Sequence, residues 1–571
     1  MIQTGLSSSG LTAKQEANKR LLSLRNRYMR WQVGQMELSR YVDPTRGIFN
    51  GNRSNIGKTI DHKILLDSHA TFAKRITSSG MQTGMTDPAR PWYRLTMDSW
   101  IIENVEGVRE WVDDIANRMI DVMNKSNIYR VFQNCYDELV QFGTGCFVIL
   151  SDYEDVIRGR SFTAGEYYIG TDNKGRVNAF AREFEMTVGQ MVKEFGLEKC
   201  SPQVQTMYSL NQVDQLIKIQ HLIEPNINRI EGYEDIKNMP YRSCYWENSN
   251  GANDFLDFRG YKYFNVIAPR WDSITTDMDY GYGPSWHALG DIKQLQTLVA
   301  DKLVAEQLVN KPPAIQDSSV TGHVSQIPGG ITKSSSNVPN SGLRPAYQIN
   351  PNLEHMQQSI DLMHQKIDKH MFADLFLMIS SMPVNSGTTA FEIATRKQEQ
   401  MMMLGPILHG LNEEMHSKSI DLIFNIMNEA GLIPPPPAAL VELQKQGLAG
   451  EIKVQYISIL AQAQKAMGVQ NIEHTLGVIG SAVGIYPEVV DNFDIDMAVE
   501  EIADLNGVPA KMIREKSQIE AIRKARAEAM AQQAQMAQNM AMADTASKLG
   551  KTPGKGSGSV LDNVGSALTG Q

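Results

Sequence analysis

The stretch Gly51-Asn52-Arg53-Ser54-Asn55-Ile56-Gly57-Lys58-Thr59 holds the residue types of a phosphate-binding loop. That chemistry needs G-x-x-x-x-G-K-[ST], a spacing that aims backbone N–H groups, the lysine and the hydroxyl at phosphate and its magnesium. Here five residues, not four, separate Gly51 from Gly57, and no apolar strand precedes them. The segment reads as a basic surface loop, with an NTPase using Lys58 and Thr59 as the enzymatic alternative. His62 and His69 stand seven apart, as do His409 and His416. Two helical turns span about 10.5 Å, too far for both to reach one ion at about 2.0 Å. His364 and His370 are six apart and fall on different faces. Structural or surface histidines are expected. Glu413-Glu414 and Glu500-Glu501 point from different helix faces and read as solvated surface. Asp491, Asp494 and Asp496 read as acids favouring a helix N-terminus rather than as a cation site. No nucleophile elbow or H-E-x-x-H motif is present. The expectation is a chain with no catalytic residue, no metal and no cofactor.

Composition points the same way. The chain has 571 residues, 42% of them hydrophobic, enough for several cores. Its net charge of −9 argues against a general nucleic-acid binder, since tight DNA binding rests on many phosphate contacts from Lys and Arg. Cys135, Cys146, Cys200 and Cys244 form no C-x-x-C, so reduced thiols are expected rather than a zinc site or a disulfide framework. Residues 1–30 are basic without an apolar core, so no signal peptide is read there. The longest apolar-leaning run, near 475–487, is glycine-broken and shorter than the roughly 20 residues a membrane span needs. No membrane anchoring is expected.

Three long helices dominate the reading of 283–430. The first starts at Gly283-Pro284, carries Trp286, Leu289, Ile292, Leu295, Leu298, Val299, Leu303 and Val304 as a stripe, and stops at Asn310 before Pro312-Pro313. The second opens at Asn350-Pro351 and carries Leu353, Met356, Ile360, Met363, Ile367 and Met371 at near-heptad spacing. Between them, 311–350 is rich in Ser, Gly, Pro and Asn. It is a disordered loop or a β-containing excursion completed by a neighbouring subunit. The third helix opens with a capping box, Thr389 to Glu392, should kink at Gly405-Pro406, and ends at Gly431. A short flexible loop, 382–388, precedes it.

Elsewhere, 12–42 reads as a helix with a capping box at Thr12 and Gln15, and 60–82 and 100–126 read as helices. Segments 146–151, 176–184, 216–224, 241–247 and 261–269 read as strands of a mixed, mainly antiparallel sheet. Residues 495–507 and 508–546 read as two helices split at Gly507-Val508-Pro509, the second rich in Ala, Gln and Met. Its basic run from Lys511 to Arg526 is interleaved with glutamates and reads as a salt-laced face.

Five segments in order carry a family resemblance: 65–95, "FGTGCFVI" at 142–149, 280–313 beginning "YGYGPSWHALGD", 387–414 beginning "GTTAFEIATRKQEQ", and 505–535. Together they resemble the portal, or head-to-tail connector, proteins of short-tailed bacteriophages. The resemblance implies an α+β, mainly α subunit that assembles as a ring of twelve at one capsid vertex of the virion, after assembly in the host cytoplasm. It implies an N-terminal wing of helices and antiparallel strands over 1–279, a first stem helix at 280–310, a clip at 311–350, a second stem helix at 351–378 and a tunnel loop at 379–388. A long kinked helix with the C-terminal wing then covers 389–460, crown helices 461–546 and a disordered tail 547–571. The implied partners are double-stranded DNA in the channel, the terminase large subunit, tail adaptors, and major capsid and scaffolding proteins. Asn385, Ser386, Gly387 and Thr388 are the expected DNA-facing residues. Lys311, Gln316, His323, Lys333 and Arg344 are the expected docking residues of the clip. The structural alternative is a non-ring adaptor or scaffold, which would leave the apolar stripes of the paired helices exposed.

Overall fold

The computed structural model describes residues 12–49, 64–97, 107–247, 255–310, 314–316, 343–345, 352–380, 404–445, 452–457 and 516–551, apart from 234 and 276, with short pieces at 475–477, 479–480 and 497–498. The chain divides into two units, Met1–Val478 and Ile479–Gln571. The fold is mixed helix and sheet, mainly helical.

In the first unit the helices are α1 (Ala13–Tyr41), α2 (His69–Met85), α3 (Val108–Lys125), α4 (Ile128–Phe142), α5 (Val188–Phe195), α6 (Pro202–Ser209), α7 (Pro284–Asn310), α8 (Leu353–His370), α9 (Ala373–Ser380), α10 (Lys418–Glu429) and α11 (Ala438–Lys445). The capping box of α1 is present, with Thr12 and Gln15 each bonding the other's backbone N–H. The helix ending at Glu429 closes as its glycine signal predicts. Gly431 takes a left-handed φ of +70°, and the N–H groups of Gly431 and Leu432 reach back to Asn428 and Met427 carbonyls.

The strands are β1 (Tyr93–Met97), β2 (Cys146–Asp152), β3 (Val156–Phe162), β4 (Tyr167–Thr171), β5 (Val177–Thr187), β6 (Leu216–Pro225), β7 (Tyr241–Glu247), β8 (Asp257–Tyr261), β9 (Val266–Ile267), β10 (Ala314–Gln316), β11 (Leu343–Pro345) and β12 (Ile452–Tyr456). One sheet runs β4-β5-β6-β7-β8 and a second β3-β2-β9, while β1 pairs with β12 and β10 with β11. Every described pairing is antiparallel. The strand expected over 261–269 is two shorter strands, β8 ending at Tyr261 and β9 at Val266–Ile267, which belong to different sheets.

The largest core gathers α3, α4, β1, β2 and the helix leading into α10 around Trp92, Phe132, Tyr136, Phe147, Leu411 and Ile423. A second core lies between α1 and the sheets, at Leu21, Leu24, Tyr28, Phe180 and Trp246. α4 is central and was not foreseen: it is buried on nearly every side. Its Glu138 is fully inside, accepting from Arg46 at 3.1 Å, Thr163 at 2.9 Å and the Ala164 N–H at 3.0 Å. The apolar residues of α4 do recur at helical spacing, at Ile128, Val131, Phe132, Cys135, Tyr136, Leu139 and Val140.

Several expectations are corrected. The second long helix is capped by Asn352, which accepts from the His355 N–H, two residues beyond the expected Asn350. It is also interrupted: Phe372 takes a left-handed φ of 60° between α8 and α9. The Thr77 hydroxyl donates to the buried Met371 carbonyl there at 2.6 Å. Glu414 is not solvated surface. It binds the backbone N–H and the guanidinium of buried Arg270, whose remaining N–H groups reach the Met278 and Gly175 carbonyls at 2.8 Å. Glu414 lies in a π-helical turn, Asn412–Ser417, a wider turn that the spacing of residues does not announce. All four cysteines are buried and free.

In the second unit, α12 (Lys516–Lys551) is a single helix of 36 residues, about 54 Å long. It runs past 547, where the tail was expected to begin. The capping box at Thr389–Glu392 and the split at Gly507-Pro509 lie outside the described residues, as do Lys58, Thr59 and the aspartates 491–496. Gly405-Pro406 is helical at the very edge of them.

Candidate functional site: a rooted helix pair

α7 begins and ends where Gly283-Pro284 and Pro312-Pro313 predict, and its 27 residues reach about 40 Å. Its buried residues, Pro284, Ser285, Ala288, Ile292, Leu295 and Gln296, all fall in the first half. α8 mirrors this, burying Ile360, Met363 and Ile367 toward its end. Lys302 donates to Gln357 at 2.6 Å and His370 meets Asp291 at 3.5 Å, so the two helices run antiparallel. Their root is embedded with Leu38, Val42, Ala70, Ala73 and Phe142. Their far halves emerge from it: Leu303, Val304 and Val309 are 44%, 53% and 48% exposed.

The root is held by close backbone approach. Gly143, at φ +81°, sits where any Cβ would come within 2.4 Å of the Gly281 carbonyl, and a Cβ on Gly283 would come within 2.6 Å of the Leu139 carbonyl. The Gly281 N–H donates to Thr144 Oγ1 at 2.8 Å, and the Trp286 indole donates to the Phe142 carbonyl at 2.9 Å. Thus the segments F-G-T-G and Y-G-Y-G-P pack on one another, and their glycines are needed because two chains cross without side-chain room. Trp286 in turn fills the space over Gly34 of α1, at 2.3 Å from a would-be Cβ.

A polar lock closes the other side. Gln296 accepts from the Leu66 and Asp67 N–H groups at 2.8 and 2.9 Å and donates to the Asp67 carbonyl at 2.8 Å. His364 of α8 meets Asp67 at 3.0 Å, and His69 of α2 meets Asp368 at 2.9 Å. The two imidazoles stack with centroids 4.1 Å apart. The hydrogen bond to Asp368 raises the His69 pKa above its ordinary value, against partial burial. The structure therefore pairs His69 with His364, from distant parts of the chain. His416, by contrast, is fully buried, flanked by Tyr136 Oη and Asn412 Oδ1, each at 2.8 Å. Burial drives its pKa down to about 3, so it is a neutral structural residue. No group of three or more His, Cys, Asp or Glu is placed to hold a metal ion among the described residues.

Beyond the far ends, β10 and β11 form a short ladder, Ala314↔Pro345, Ile315↔Arg344 and Gln316↔Leu343. Gln316 and Arg344 thus stand on neighbouring rungs. Lys311, His323, Lys333, Asn385, Ser386, Gly387 and Thr388 lie outside the described residues.

Comparison with known proteins accords with this architecture. A family model described as "Bacteriophage head to tail connecting protein" matches residues 14–513. The chain is 37% identical over 547 residues to the "Probable portal protein" of Bordetella phage BPP-1, covering 94% of this chain and 96% of that one. It is 35% identical over 547 residues to the "Portal protein" of Salmonella phage epsilon15, covering 95% of each. A family match over residues 14–513, with two relatives above 30% identity over nearly the whole chain, places the chain in the family of bacteriophage head to tail connecting proteins.

Proposed function

We propose that this chain is the repeating subunit of a closed portal ring at one capsid vertex of the virion. Double-stranded DNA passes through its channel while a separate terminase ATPase does the pumping, and tail adaptors later dock below. The observation that carries this reading is the half-buried helix pair. One chain satisfies the root of α7 and α8 and leaves apolar side chains of the far halves in water, and copies related by rotation cover them in turn. In this reading α7 and the α8–α9 segment as far as residue 378 are the stem, and the β10–β11 ladder is the base of a clip spanning 311–350. That clip carries Lys311, Gln316, His323, Lys333 and Arg344 to its docking partners. Residues 379–388 are the tunnel loop, in which Asn385, Ser386, Gly387 and Thr388 face DNA through neutral groups that do not grip. Residues 1–279 and 389–460 are the wing, which meets the major capsid and scaffolding proteins, and α12 belongs to a crown whose exposed faces pack between copies. The work is mechanical and needs no catalytic residue or cofactor.

Native mass of the purified protein tests this reading. Twelve chains of 63.8 kDa weigh roughly 0.77 MDa as a closed ring. A monomer or dimer that persists at high concentration, with and without scaffolding protein, would overturn it.

A further inference from the structure

A cleft of about 420 Å³ opens between the three-stranded and five-stranded sheets of the first unit, far in sequence from the helix pair. Its walls come from β2, β3, β5, β6, β7, β8 and α5, and three arginines converge on it: Arg160, Arg182 and Arg259. Arg182 is buried, and its guanidinium lies 4.1 Å from the Phe184 ring and 5.2 Å from Phe162. Arg160 stacks on the same Phe162 ring at 5.6 Å, so one aromatic ring serves two cations. Arg259 lies 5.4 Å from the Tyr245 ring and is tied to Asp257 at 2.7 Å and Glu194 at 2.8 Å.

The centre of the group is His221. It stacks on Tyr245 at 3.8 Å, accepts from Arg182 Nε at 3.2 Å through Nδ1, and donates from Nε2 to Ser243 at 2.9 Å. Burial first, then Arg182, Arg259 and Arg160, push its pKa well below the ordinary value. The imidazole is therefore neutral and adds no positive charge. Even so, the lining sets three arginines against two glutamates, Glu185 and Glu194, on a chain whose net charge is −9. Cations gathered on one aromatic ring repel one another, and an anion seated among them offsets that repulsion through charge-assisted hydrogen bonds. The rest of the wall is mixed, with Val148, Phe162, Phe180, Phe184 and Ile223 beside Gln190 and Asn265.

We propose that this cleft is a binding site for one anionic group, a carboxylate or phosphate, carried on a flat apolar body. The guanidiniums of Arg160 and Arg182 hold the anion, and the phenylalanines hold the body. Two sources share this chemistry: an acidic side chain next to an aromatic residue in another protein, and a free aromatic phosphate.

Calorimetric titration of the full chain at low ionic strength tests it, with phenyl phosphate, benzoate, blocked Asp-Phe dipeptide, neutral benzamide and inorganic phosphate as probes. Saturable binding of the aromatic anions at one site per chain is expected, with benzamide and inorganic phosphate weaker by roughly tenfold or more. Arg160→Gln, at an exposed position that leaves the fold intact, and Arg182→Gln should each weaken the anions by roughly tenfold or more. Tighter binding of the dipeptide supports a protein-borne carboxylate, and tighter binding of phenyl phosphate a free ligand. No saturable binding, benzamide binding as well as benzoate, inorganic phosphate binding as well as phenyl phosphate, or affinity unchanged in Arg160→Gln would each overturn the proposal.

Discussion

The two halves of α7 are one continuous helix under two different regimes. From Pro284 to Gln296 it is wedged against α1, α4 and α8, with glycines admitting its neighbours to backbone distance. Further along, Leu303, Val304 and Val309 face solvent. Apolar residues continue across the boundary, so composition does not distinguish the halves. What differs is whether the same chain supplies the partner. The root is finished by intramolecular packing, and the far half is a surface kept ready for assembly.

The comparison can be broken most sharply at Gly143. Gly143→Val forces a left-handed φ on a branched residue and drives Cβ into the Gly281 carbonyl. A loss of more than about 3 kcal/mol is expected, seen as insoluble protein or a collapsed thermal transition. Trp286→Ala, which empties the space over Gly34 and abandons the bond to Phe142, should cost about 2–3 kcal/mol in denaturant unfolding. A neutral effect of either would mean that the root is not what holds the pair.

Titration distinguishes the body from the lock. His416 has its folded-state pKa depressed to about 3 from 6.5, so the unfolded chain binds the extra proton first. Stability should fall by roughly 1.4 kcal/mol per pH unit as pH drops below 6.5 toward that value, and the slope should flatten in His416→Gln. His69 has the opposite sign. Its folded-state pKa is raised, chiefly by Asp368, so its contribution is fully present below pH 6.5 and is lost as pH rises through the raised value. At a partly exposed site that amounts to a few tenths of a kcal/mol, visible as a small pH-dependent difference between wild type and His69→Gln.

The far half should be nearly silent in the same assays. Leu303→Ser with Val304→Ser should change monomer stability by less than about 0.5 kcal/mol, yet reduce the fraction of protein at high native mass. An unchanged mass distribution would detach these residues from assembly.

Local signals in the sequence were read well where they were local in the structure. The box at Thr12 and Gln15, the prolines bounding α7, the glycine after Ala430 and most strands of the five-stranded sheet needed only neighbours along the chain. The site was less legible. Glycines 143, 281 and 283 could be seen, but not that they meet. His69 and His364 come from segments 295 residues apart, and no spacing rule relates them. α4 carries a legible helical stripe at Ile128, Val131, Phe132, Cys135, Tyr136, Leu139 and Val140; what the sequence does not show is that its polar Glu138 and Gln141 are buried as well. The bend at Phe372 and the π-turn at Asn412–Ser417 are imposed by tertiary contacts, among them Thr77 on the Met371 carbonyl and Arg270 on Glu414.

One ladder carries a consequence for how the chain is made. β1 pairs with β12 through Tyr93↔Tyr456 to Met97↔Ile452, so its partner emerges from the ribosome about 350 residues later. At about 5–20 residues per second this leaves β1 waiting roughly 20–70 s. During that interval an unmatched strand edge beside Trp92 is open to other chains, including nascent copies on the same message. The temperature and rate of synthesis, as much as final stability, should therefore govern how much correctly closed subunit a cell obtains.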